Sequence, residues 1–119
     1  MAYKSFEENI SWQKSNDLVV ELFRVLQSSK ENWIKDELLG TALAASSQIA
    51  KGHEMQSSGY IQCLENAREG YVKCRSMIAV ALSLRILRDA EAQLLQEKAT
   101  DASKLAYGLL KKLKEKSAA

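Results

Sequence analysis

No proline occurs anywhere in this chain of 119 residues, and glycine occurs only five times. Those are the residues that most often interrupt a helix, so their scarcity favours long, unbroken helices and an all-α fold. Hydrophobic residues make up 46% and charged residues 27%, too apolar for a disordered chain and sufficient for a core without disulfide or metal staples. The length fits one domain spanning 1–119. The longest apolar run, 77–82, is far short of a membrane span. The opening MAYKSFEEN is neither an apolar signal core nor an Arg-rich transit peptide, so a cytoplasmic location is expected.

The apolar spacing divides the chain into four helices. Ser11 is a plausible N-cap for a first helix running to about residue 29, with Trp12, Leu18, Val19, Leu22, Val25 and Leu26 on one stripe. A second starts at Asn32 or Trp33 and carries Ile34, Leu38, Ala42, Ala45 and Ile49. Its stretch 36–52, DELLGTALAASSQIAKG, is built from small residues that let a neighbouring helix approach closely. Gly52 followed by His53 is an end signal, with one or two further turns allowed.

The third helix starts at Ser57 or Ser58, reaches about residue 87, and has two apolar stripes. Ile61, Leu64, Tyr71, Ile78 and Leu82 form one; Cys63, Ala67, Gly70, Cys74, Met77, Ala81 and Leu84 form the second. One layer of neighbours needs one stripe, so the second predicts an interface with another copy of the chain. Asp89 can cap a fourth helix running to about residue 114, whose stripe of Ala and Leu recurs every three or four residues. Short connections then give an antiparallel, up-down-up-down four-helix bundle that assembles as a homo-oligomer.

Nothing in the residues points to catalysis. His53 is the only histidine, which excludes a cluster of histidine metal ligands within one chain, and its place suggests an exposed helix end. Cys63 and Cys74, eleven residues apart on one helix, lie about 16 Å apart, beyond disulfide reach, and read as buried small hydrophobes. Glu65, Glu69, Glu91 and Glu97 read as solvated faces. Phosphate-binding glycine loops and nucleophile elbows are missing, and no metal or cofactor is expected.

The basic residues are the remaining candidates. Arg68 and Arg75, seven apart, share a face of the third helix with Lys73 and Arg85 nearby, and Lys111, Lys112, Lys114 and Lys116 crowd the end of the fourth. Arg68, Lys73, Arg75, Lys111 and Lys112 could together hold phosphates of RNA or another nucleic acid. With 17 basic against 15 acidic residues, solubility charge and intersubunit salt bridges are the simpler explanation of them. With no exposed aromatic interleaved among them, any such binding would read phosphates and not bases.

Several segments carry a resemblance: Phe6-Glu7, Trp12-Gln13-Lys14, the run Ser47-Gln48-Ile49-Ala50-Lys51-Gly52, Leu64 with Ala67, and Tyr107-Gly108-Leu109-Leu110. In this order the chain resembles the bacterial four-helix-bundle proteins encoded within intervening sequences of large-subunit ribosomal RNA genes, which include the accessory variability determinant of diversity-generating retroelements. It departs from the usual pattern at Ser46, Gln48, Lys51, Glu69 and Lys73. The resemblance implies a cytoplasmic, non-enzymatic, ring-shaped homopentamer, some of whose relatives bind nucleic acid and a reverse transcriptase on a basic surface. Two functions from different classes follow: a homo-oligomeric scaffold binding RNA or other nucleic acid, or a protein-binding adaptor without nucleic-acid contact.

Overall fold

The computed structural model describes residues 5–118, the side chains of Ser57, Ser58 and Ala118 excepted. These residues form four α-helices: α1 (Ile10–Leu26), α2 (Asn32–Met55), α3 (Ser57–Ser83) and α4 (Asp89–Ala118). A 3-10 turn at Phe6–Glu8 precedes them, and no strand forms among the described residues. The molecule measures 48 × 27 × 21 Å, its long axis matching the roughly 45 Å of a helix of α4's length.

Each helix packs against two others, in the cyclic order α1, α2, α3, α4 and back to α1, an arrangement compatible with a four-helix bundle. Between α2 and α3 the contacts climb one helix as they descend the other: Gly52 lies against Tyr60 and Cys63, Gln48 bonds Asn66, and Ala45 meets Gly70. The same holds between α3 and α4, where Glu65 pairs with Lys114, Arg68 with Tyr107 and the Arg75 carbonyl with Gln96.

Large and small residues share the core. Leu18 and Leu22 of α1, Leu38 and Ile49 of α2 and Leu64, Tyr71 and Ile78 of α3 are fully buried, while α4 contributes chiefly alanines, among them Ala99, Ala102 and Ala106. Mixed sizes let facing layers interdigitate. Each large side chain so buried contributes about 1.5–3 kcal/mol. Tyr71 reaches beyond its neighbours: its hydroxyl donates to Ser15 Oγ of α1 at 2.7 Å, a buried bond linking two helices that are not adjacent in the cyclic order.

Several expectations need correction. Asn9, not Ser11, caps α1: its Oδ1 accepts the Ser11 backbone N–H at 2.9 Å, and Ser11 is buried in the first turn. Helix α1 stops at Leu26, three residues short of the expected end. Most of the second stripe of α3 is covered within one chain, Leu84 at its end remaining exposed. Cys63, Ala67 and Cys74 lie in the core, Met77 is half-buried against it, and Gly70 meets Ala45. The physical reason is that a helix in a four-membered ring faces the centre and two flanking helices, and so needs a wide apolar arc.

Gly52 does not end its helix. A Cβ there would stand 2.5 Å from Tyr60 Cδ1 and 3.0 Å from Cys63 Cβ, so its lack of a side chain is what lets α3 approach. The chain turns instead at Gln56 alone, which adopts φ 54°, ψ −158°, donates its N–H to the Gly52 carbonyl and its Nε2 to the His53 carbonyl. Helix α3 ends at Ser83 in a Schellman motif. Arg85 takes the left-handed position (φ 63°), its N–H bonding the Leu82 carbonyl while Ile86 N–H bonds the Ala81 carbonyl. Asp89 is the first residue of α4, and the cap comes from Glu91, whose Oε1 accepts the Arg88 N–H at 2.9 Å.

Candidate nucleic-acid interface

The sequence-predicted basic residues separate onto three seams. Arg68 and Arg75 of α3 come together with Thr100, Ser103, Lys104 and Tyr107 of α4, lining an open cleft of about 380 Å³. Helical spacing explains the grouping. Arg68 and Arg75 are two turns apart, and Thr100, Lys104, Tyr107 and Lys111 recur at intervals of four, three and four, one face of α4. Lys111 is exposed and continues this row one turn beyond Tyr107.

Lys73 faces elsewhere. It lines a groove between α2 and α3 with Asp36, Glu37 and Glu69, an acidic setting that offsets its charge. Lys112 borders the α1–α4 side, with Asn9, Ile10, His53, Tyr60 and Leu109. Lys114 pairs with Glu65 at 3.0 Å in an exposed bridge that contributes little to stability. Arg85 is held in the α3–α4 corner. Of the five residues singled out, then, the structure brings Arg68 and Arg75 together with Lys111 in line, and sets Lys73 and Lys112 apart.

Two residues of the cleft escaped the reading of the sequence. Lys104 supplies a third cation. Tyr107 corrects the expectation that no exposed aromatic lies among these charges: half of it is open to solvent, and the Arg68 guanidinium sits 4.8 Å from its ring centroid. Its position between Lys104 and Lys111 at helical spacing was the available signal. Arg68 Nε is shielded and unpartnered. The Arg75 backbone is fixed by Gln96, whose Nε2 donates to its carbonyl at 3.0 Å. Acidic residues flank the cleft: Glu97 and Asp101 beyond Lys104, and Glu65 and Glu69 beyond Arg68.

At the other end of α3, Asn9 ties three elements together. Besides capping α1, its Nδ2 donates to Tyr60 Oη at 2.8 Å and lies 3.1 Å from His53 Nδ1. His53 is therefore half-buried in a polar junction and not an exposed helix end. Burial raises the Tyr60 phenol above its ordinary value, partly offset by the Asn9 bond. Burial likewise pushes Tyr71 up to about 12 and the Cys74 thiol up to about 11, so both are neutral core groups at physiological pH. Among the described residues no three metal-ligating side chains converge, and no helix is long and apolar enough to cross a membrane.

The fold and the cleft define a small all-α protein with a cationic seam between two of its four helices. A family model described as 23S rRNA-intervening sequence protein matches residues 7–108, and the chain belongs to that family. The match takes in Arg68, Arg75, Lys104 and Tyr107 and ends before Lys111. No curated protein matches the chain.

Proposed function

We propose that this protein is a non-catalytic cytoplasmic scaffold, an antiparallel up-down-up-down bundle assembled as a homopentamer, that binds RNA along the seam between α3 and α4. The observation that carries the reading is the convergence of Arg68 and Arg75 with Lys104 around Tyr107, extended by Lys111. Four cations along one groove would replace condensed counterions on a polynucleotide, and the released ions drive association. The scaffold reading and the pentamer both follow the resemblance drawn from the sequence motifs. Large apolar side chains left exposed, such as Phe23 at 56%, Leu43 at 52% and Val72 at 62%, are surface that assembly would cover.

Charge reversal tests the seam. Arg68→Glu with Arg75→Glu is expected to abolish RNA retention on a filter at low salt, whereas Lys73→Glu, on the acidic α2–α3 groove, leaves it nearly unchanged. Loss in Lys73→Glu in proportion to its charge change, half that of the double variant, would mean that only net charge matters. Absence of RNA retention by the unsubstituted protein, together with capture of a partner protein that the double variant still holds, would favour an adaptor that touches no nucleic acid.

A further inference from the structure

Tyr107 is placed to do more than support a cation. Arg68 sits over the ring at 4.8 Å and can cover only one face, and the side chain remains half open to solvent. On α4 it stands between Lys104 and Lys111, with the hydroxyl residues Thr100 and Ser103 lining the same cleft and Arg75 at its far end. An exposed aromatic bracketed by cations along a groove is the arrangement that holds a strand by stacking a base between anchored phosphates. A duplex offers phosphates to such a groove but keeps its base faces stacked inside, so the ring gains nothing from it.

We infer that the seam takes an unpaired stretch of polynucleotide in preference to a duplex, with one base stacked on Tyr107 and the flanking phosphates on Arg68, Arg75, Lys104 and Lys111. This rests on the reading of the seam as a phosphate-binding surface. The guanidinium of Arg68 fixes the ring and adds positive charge to the stack. Sequence preference is weak, because every base has a π face.

The test measures binding of a labelled single-stranded RNA of about twelve nucleotides, the same strand annealed to its complement, and the corresponding single-stranded DNA, at low salt. The single strand is expected to bind at least about fivefold tighter than the duplex, and Tyr107→Ala to remove that difference while Tyr107→Phe keeps it. Tyr107→Leu, apolar but not aromatic, should behave as the alanine variant, which separates stacking from packing. The DNA strand should show the same dependence on Tyr107. Equal binding of single strand and duplex, or indifference to Tyr107→Ala, overturns stacking while leaving the phosphate-binding seam intact. Failure of all three probes to bind overturns both.

Discussion

Tyr71 and Cys74 set how the molecule responds to alkali. Burial holds the folded tyrosine near 12 and the folded thiol near 11, above the ordinary values of 10.0 and 9.0 that they regain on unfolding. Over those intervals the folded chain binds more protons than the unfolded one, so stability is fully present below pH 9 and falls as pH rises through 11 to 12. Each group accounts for about 3 kcal/mol of that loss. Urea denaturation between pH 8 and 11 is expected to show the decline, and Cys74→Ala to flatten its lower part. Tyr71→Phe should cost about 1–2 kcal/mol at neutral pH, because Ser15 loses its buried donor, and adding Ser15→Ala should recover part of that.

Two glycines give opposite expectations at the same scale. Gly52→Ala drives a methyl into Tyr60, which Asn9 holds in place, and should cost about 2 kcal/mol or more. At Gly40 an added methyl would meet nothing within 4 Å, and the residue sits mid-helix, so Gly40→Ala should raise stability by about 0.8–1 kcal/mol in chemical denaturation.

At the scale of elements, the corners store the strain. Gln56 and Arg85 are the non-glycine residues with positive φ among those described. Gln56→Gly and Arg85→Gly are each expected to raise the denaturation midpoint, by an amount equivalent to about 0.5–1 kcal/mol, with Gln56→Gly partly offset by loss of its bond to the His53 carbonyl. Such corners are where sequence reading is weakest. The stripes Leu18–Leu22, Leu38–Ala42–Ala45 and Leu95–Ala99–Ala102 announce their helices by period alone, but nothing about a glutamine announces a one-residue turn. The second stripe of α3 was visible, yet periodicity records that a face is apolar and not which helix covers it. Likewise, spacing placed Arg68 beside Arg75, whereas the separation of Lys73 onto the acidic groove depended on how the helices are ordered around the core.

The whole molecule joins an all-α fold to a cationic seam between α3 and α4. Light scattering should give five times the 13.3 kDa chain mass for the proposed ring. A monomer would remove the pentamer while leaving the seam of each chain in place.

The salt dependence of RNA binding is the decisive measurement for that seam. With Arg68, Arg75, Lys104 and Lys111 engaged, a plot of log affinity against log salt for a single strand should be linear with a slope of about −3, falling to about −1.4 when Arg68 and Arg75 are replaced by alanine. A flat plot, or a slope that the two replacements leave unchanged, would rule out phosphate binding by these four cations.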